Sequence, residues 1–346
     1  MKRQKIFLGA YLNVINAQNL NCRSLSKYLD KKKYKIISLS LGNNLDFDKI
    51  EDVFIIKVSP LFYKTSNFFS FLLGVLISDI CYFPKHQSTP KLAVLLARLL
   101  KRKIFTTIEG NMCDESKENM ISNFGSLSRI KSYFRLFPNI YGITTHIINN
   151  STCAVNTKDH PLFLGVDRGN FKFIRFRDKL NEIIFIGSLN KRKNVNDFIN
   201  LAKLFPDLKF HVVGSGPEEF NLKEISTSNV FFHGSLNHLQ LSDLLNKIDL
   251  HFLPSKSEGF PKVILETASL GIPSILYNTY GADEWIDSGV NGFLLSEFTE
   301  VVDLIDKLKK NSNLLYQNST QTVKISEIFD WNLMIKYWEN EIDSLL

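Results

Sequence analysis

The chain has 346 residues, 44% apolar and 22% charged, which is the make-up of a soluble globular protein long enough for two ordinary domains. Its four cysteines (Cys22, Cys81, Cys113, Cys153) are scattered with no CxxC pair, so neither a zinc site nor a disulfide framework is expected and a reducing cytoplasm fits. Residues 1–170 carry 24 Lys and Arg against 12 Asp and Glu, a net +12, whereas residues 171–346 carry 18 against 23, a net −5. A basic front half calls for an anionic acceptor or membrane surface, with the run Lys31, Lys32, Lys33 the first contact to test, unless the excess is mere lysine drift in the gene. The basic residues are dispersed and lack an RNP-like aromatic pattern, which argues against a nucleic-acid-binding module.

The basic start and short apolar run of residues 1–12 faintly mimic a signal peptide. Asn13, Asn16 and Gln18 break the run and no cleavage site follows, so a first buried strand is predicted. A polar loop, 13–21, then lies at that strand's carboxyl end. Residues 23–31 read as a helix, and 35–41 and 54–59 as strands. Asp46-Phe-Asp48 has the form of a metal-binding D-x-D but sits in a polar turn, so a surface turn is expected and no metal site. Residues 68–77 are strongly apolar yet far too short to span a bilayer. They read as a core helix, and their lack of a polar face keeps a membrane-dipping alternative in view. Residues 79–84 form the next predicted strand, 90–100 a helix, and 103–108 a strand that ends at Glu109-Gly110-Asn111. A carboxylate there suits orienting or deprotonating an acceptor hydroxyl; otherwise it caps a helix near Asp114. Residues 140–150 read as a further strand.

The back half repeats the alternation: strands at 182–187, 208–213 and 230–233, with helices at 194–204, 218–225 and 238–246. Such alternation predicts an α/β fold with a parallel sheet. The apolar run 249–254 is a buried strand. It is followed by Ser255-Lys-Ser-Glu258-Gly259-Phe260-Pro261-Lys262-Val263-Ile264-Leu-Glu266. Pro261 suits the first position of a helix, which makes Phe260 an N-cap without a capping side chain. The amides of Lys262, Val263 and Ile264 would then face an anion. Glu258 precedes this helix start, and Glu266 lies on the helix about a turn and a half further in. Two carboxylates flanking a phosphate-ready site suit a nucleotide sugar; the plainer alternative is a pair of solvated helix-end charges. The strand signals on either side favour a doubly wound sheet, where ligands bind at the carboxyl ends of strands.

Glu258-Gly-Phe-Pro-Lys-Val-Ile-Leu-Glu266, with Ala268, Gly271 and Pro273 behind it, resembles the signature of glycosyltransferase family 4. The resemblance implies a GT-B fold, two Rossmann-like doubly wound domains facing across a cleft, with retaining, metal-independent sugar transfer from a UDP- or GDP-linked donor and no other cofactor. It implies that Glu258 acts at the sugar, and that Glu266 reaches the ribose. Gly259, Phe260, Pro261, Lys262 and Val263 belong to the donor site in the same way. Gly187-Ser188-Leu-Asn-Lys191-Arg192-Lys193 resembles the phosphate loop: the usual arginine is Ser188, Lys193 is retained, and Arg192 or Lys191 is expected to supply the second charge. Gly214-Ser-Gly216-Pro and His233-Gly234-Ser235-Leu236 correspond to turns that contact the nucleobase.

On the acceptor side the family's glycine-rich loop is represented by Asn13 and Asn16, and Glu109-Gly110 stands where a histidine is frequent. Leu164-Gly-Val-Asp167 resembles the junction, the basic run to Lys179 reads as linker, and 280–284 falls where the family carries glycine-glycine-x-proline-glutamate. The expected division is 1–166 for the acceptor domain, 167–327 for the donor domain, and 328–346 for a helix returning to the first. The implied function is hexosyl transfer to a glycan or lipid-linked saccharide in surface polysaccharide synthesis, in the cytoplasm or peripheral on the inner face of the membrane. The alternative is a catalytically inactive nucleotide-sugar-binding scaffold, motivated by Ser188 and the altered front loops.

Overall fold

The computed structural model describes residues 3–14, 16–42, 50–113, 124–171 and 174–346. Asp46, Asp48 and Asp114 lie outside the described residues. The chain divides into two compact units, Met1–Leu164 with Trp331–Leu346, and Gly165–Asp330.

The first unit is built on six strands: β1 Gln4–Tyr11, β2 Tyr34–Leu41, β3 Val53–Val58, β4 Ile80–Tyr82, β5 Lys103–Ile108 and β6 Asn139–Gly142. They pair in parallel in the order β3-β2-β1-β4-β5-β6. Ile6, Phe7 and Leu8 are all fully buried, as a strand covered on both faces requires. Helix α1 (Ala17–Tyr28) connects β1 to β2. Helices α2 (Tyr63–Leu76) and α3 (Lys91–Leu99) follow β3 and β4 in the opposite direction across the sheet. Right-handed crossovers therefore put α1 on one face and α2 and α3 on the other. Phe7 meets Phe71 of α2 edge-on at 5.6 Å. A Cβ at Gly74 would stand 2.5 Å from the Phe7 ring, so only glycine lets α2 close onto β1. The C-terminal helix Trp331–Ser344 belongs to this unit, with Trp331 stacked on Tyr28 and Trp338 donating to the Phe163 carbonyl.

Three expectations for this unit change. The asparagine-rich stretch is no open loop: the Asn16 side chain accepts from the Asn19 amide and starts α1 at Ala17, six residues early. The stretch 140–150 is a short strand and then helix Thr145–Asn149, because the Thr144 hydroxyl caps the turn. Cys113 and Cys153 are joined by a disulfide at a sequence separation of 40, so the scattered spacing concealed their pairing. Helix Leu127–Phe134, capped by Ser126, has no counterpart in the sequence reading.

The second unit has β7 Glu182–Ile186, β8 Lys209–Val213, β9 Val230–Gly234, β10 Leu250–Leu253, β11 Ser274–Tyr277 and β12 Phe293–Leu295. All pair in parallel, in the order β12-β11-β10-β7-β8-β9. The order reverses between β7 and β10, which is the point where doubly wound sheets bind ligands. The supposed linker before β7 is partly core. Arg177 is 1% exposed, and its guanidinium binds the carbonyls of Ile248, Leu270, Leu245 and Arg175. Burial pulls its pKa down to about 9. Helices Phe298–Lys310 and Ser312–Ile328 complete the unit and were not marked by any motif.

Candidate functional site

The loops after β7 and β10 meet at that reversal point. After β7 the chain runs through Gly187 and Ser188 into a single tight turn, Lys191–Lys193, capped by the Asn190 side chain on the Lys193 amide at 3.1 Å. Asn194 then takes a left-handed conformation, φ 49°, and its side chain binds Asp197 at 2.7 Å. Tyr277 at the end of β11 donates to the same carboxylate at 2.6 Å. This bracing turns Lys193 inward, where it is 8% exposed.

After β10 the chain carries Ser255 to Glu258, and Glu258 is 9% exposed. Its Oε1 lies 2.6 Å from Lys193 Nζ and 3.0 Å from Arg192 Nη1. The Arg192 guanidinium also donates to the Ser257 carbonyl, and the Lys256 amide donates to the Arg192 carbonyl at 3.0 Å. Burial alone would raise the Glu258 carboxyl, but the two cations outweigh burial and hold it below its ordinary value. Burial draws the Lys193 ammonium below its ordinary value; Glu258 pulls it up and Arg192 pushes it down. The cluster thus places two cations around one ionised carboxylate, with a net positive charge for an incoming anion. Ser188, where the resemblance places an arginine, is exposed, and Arg192 is the second cation beside Glu258.

The predicted helix start shifts. The helix is Lys262–Ala268 with Pro261 as N-cap, one residue later than expected. The Ile264 amide is not open to a ligand, because it donates to the Pro261 carbonyl at 3.0 Å. Phe260 is buried against Trp285 at 4.8 Å and Phe329 at 5.1 Å, and so pins the loop Glu258–Pro261. Lys262, Val263 and Glu266 are half-buried on the helix, and Gly259 is half-buried before it.

The glycines after β8 have a packing reason. A Cβ on Gly214, whose φ is +131°, would stand 1.9 Å from the Gly187 carbonyl oxygen, and one on Gly216 2.3 Å from that of Leu189. The Leu189 amide donates to the Ser215 carbonyl at 3.0 Å. They therefore let the turn after β8 lie flat against the backbone of Gly187 to Leu189. Gly234, φ +65°, ends β9, and Ser235 faces Ser215 at 3.2 Å between hydroxyl oxygens; Leu236 follows in the same turn.

Sequence reasoning missed three groups beside this cluster. Tyr280 is buried, and burial and then the Glu258 charge raise its hydroxyl far above the usual value. His251 on β10 is fully buried with Nδ1 3.0 Å from Ser274 Oγ, and burial with Lys193 nearby drops it to about 3. Asp197 braces the turn below Lys193. His251 and Asp197 stand in no motif, Tyr280 opens the 280–284 stretch without a role read for it, and only the strand order brings them together.

In the first unit, Glu109 ends β5 and receives a hydrogen bond from Asn21 Nδ2 at 3.3 Å, and Gly110 beside it has open space around its Cα. Asn13 is tied to Leu41, donating to its carbonyl at 2.6 Å and accepting from its amide at 2.7 Å. With Asn16 acting as a cap, both asparagines have structural work there.

Residues 167–323 match the model of the family described as glycosyl transferases group 1. A Haemophilus influenzae protein described as an uncharacterized glycosyltransferase is 31% identical over 40% of this chain and 41% of its own length. A GDP-mannose-dependent alpha-mannosyltransferase of Corynebacterium glutamicum is 28% identical over 47% of this chain and 38% of its own length. The chain spans less than half the length of these curated relatives. Among solved structures, Anabaena Alr3699/HepE in complex with UDP and glucose superposes with a TM-score of 0.80 at 15% identity, over 99% of this chain and 100% of that one. Sucrose-phosphate synthase from Thermosynechococcus elongatus gives 0.79 at 14% identity over 99% of both chains. Residues 167–323 thus match the group 1 glycosyl transferases, and the fold of the chain is the two-domain α/β fold of GT-B enzymes.

Proposed function

We propose that the protein is a hexosyltransferase that moves a sugar from a UDP- or GDP-linked donor to a glycan or lipid-linked saccharide, with retention of the anomeric configuration and without a divalent metal. The observation that carries this reading is the buried Lys193–Glu258–Arg192 cluster where the strand order of the second sheet reverses. Lys193 and Arg192 would take the diphosphate oxygens and stabilise the leaving group as the bond from the sugar's anomeric carbon to phosphate breaks. Glu258, ionised and displaced toward the sugar, would hydrogen-bond its hydroxyls and favour the cationic transition state. Glu266 is assigned to the ribose, and Glu109 to orienting or deprotonating the acceptor hydroxyl. The relatives support the donor class: one is GDP-mannose-dependent, and one structural neighbour holds UDP and glucose. Surface polysaccharide synthesis, in the cytoplasm and peripherally at the inner face of the membrane, is the setting proposed for this activity.

The test is proton NMR of the product formed in the presence of EDTA. The new glycosidic bond keeps the donor's configuration if the proposal holds. Glu258→Gln lowers the turnover rate by about two to three orders of magnitude, while Glu266→Gln acts mainly on donor binding. An inverted anomeric centre, activity abolished by the chelator, or tight UDP binding with no turnover would each overturn the reading.

A further inference from the structure

Helices α2 and α3 pack side by side on one face of the first unit's sheet, and although α2 buries Phe71 and Val75, each also carries large apolar side chains on the outside. The buried positions of α2 include Asn67, Ser70 and Gly74, whereas Phe69, Leu73 and Leu76 are 62%, 44% and 51% exposed. Helix α3 buries Ala93, Val94 and Ala97, and leaves Leu92, Leu95 and Leu99 at 58%, 45% and 78%. An amphipathic helix on a water-facing surface is apolar inward and polar outward, whereas these two have apolar residues on both sides. Two adjacent helices with apolar outer faces make one continuous apolar patch, which marks an interaction surface.

The charge around the patch says what covers it. Residues 61–103 contain seven lysines and arginines against one carboxylate, Asp79, and Asp79 is taken up by Arg102 at 3.8 Å and the Lys5 amide at 2.9 Å. The neighbouring helix Leu127–Phe134 and its flanks add Arg129, Lys131 and Arg135. Lys64 and Lys91 stand exposed within the patch itself. Leucines and phenylalanines ringed by cations fit the boundary of an anionic bilayer, with the rings and aliphatic chains below the headgroups and the ammonium groups at the phosphates. Among the described residues no helix is long and apolar enough to cross a membrane, so α2 and α3 would lie in its plane. Two side chains of the lysine run 31–33 have partners within the unit. Lys31 bends back onto the Ser26 carbonyl, and Lys33 is paired with Asp343 at 3.0 Å.

We propose that the exposed α2–α3 face of the first unit docks on an anionic lipid bilayer through Phe69, Leu73, Leu95 and Leu99, with Lys64 and Lys91 at the headgroups. This gives a place to the membrane contact in the proposed function, and rests on that reading only for its purpose.

The experiment is co-sedimentation of the full chain with phosphatidylcholine vesicles, with and without phosphatidylglycerol. Binding is expected on the anionic vesicles and should weaken as salt is raised. F69S/L73S/L99S and K64E/K91E should each lower partitioning by about tenfold or more. L333S, an exposed leucine on the C-terminal helix, should leave it unchanged. All four substituted apolar residues are solvent-exposed, so thermal melting should match the parent protein. Equal partitioning onto neutral and anionic vesicles, or unchanged binding by both multiple variants, overturns the proposal. So does a dimer in analytical ultracentrifugation that F69S/L73S/L99S converts to monomer, which would assign the face to a second copy of the chain. UDP and GDP affinities measured on the same variants keep the two readings apart: lost nucleotide binding by the parent protein strikes the proposed activity and leaves the vesicle result standing.

Discussion

Replacing Lys193 by alanine removes an ammonium that is 8% exposed and 2.6 Å from Glu258 Oε1. A charge-assisted hydrogen bond from such a buried donor to a phosphate oxygen contributes roughly 1.5–3 kcal/mol. The variant should therefore bind UDP and GDP about 10- to 150-fold more weakly. The Arg192 side chain is 37% exposed, so solvent screens its charge, and Arg192→Ala should lose only roughly 3- to 10-fold. The geometry adds a second expectation. In the proposed site Glu258 would compete with phosphate for both cations, so Glu258→Gln should leave nucleotide binding unchanged or tighter while it slows turnover. Lys193 and Glu258 touch, so the double variant should depart from additivity by at least about 0.5 kcal/mol. Titration calorimetry with UDP and with GDP at low salt reads the nucleotide affinities of all four variants. Unaltered affinity for both nucleotides in Lys193→Ala would remove Lys193 from the donor site and refute the reasoning.

Two further outcomes follow from the second unit. Gly214→Ala puts a methyl group 1.9 Å from the Gly187 carbonyl at a φ of +131°, so urea unfolding should show a loss well beyond the ~1 kcal/mol typical of point mutants, and a stability like the parent's would discredit the packing described for these turns. His251 titrates at about 3 in the folded protein and near 6.5 when unfolded, so the unfolded chain binds the extra proton between those values. Stability should therefore fall as pH drops through that window, on the order of 1 kcal/mol per pH unit from this group, and His251→Asn should flatten the slope; parallel slopes for the two proteins would contradict it.

Much of the architecture was open to reading along the chain. The strand β5, the strands and helices between 182 and 254, and the loop bearing Glu258 all came within a residue or two of their observed bounds, because hydrophobic periodicity and the glycine and proline punctuation between elements are local signals. The family match over 167–323 likewise rests on contiguous motifs. Errors clustered where a polar side chain switches a local preference. Asn16 and Thr144 each start a helix where polarity had suggested a loop and strand propensity a longer strand.

Other features depend on strand order and on which residues end up facing each other. Lys193 and Glu258 are 65 residues apart in the chain and reach 2.6 Å only because β7 and β10 are neighbours at the reversal of the sheet. The Cys113–Cys153 disulfide, the buried Arg177 and the contact of Gly214 with Gly187 have the same origin. The apolar stretch 68–77 was visible as composition, but composition carries no direction. Which of its side chains meet water was decided by Phe7, whose ring admits nothing larger than Gly74 beneath it, and so turns Phe69, Leu73 and Leu76 outward.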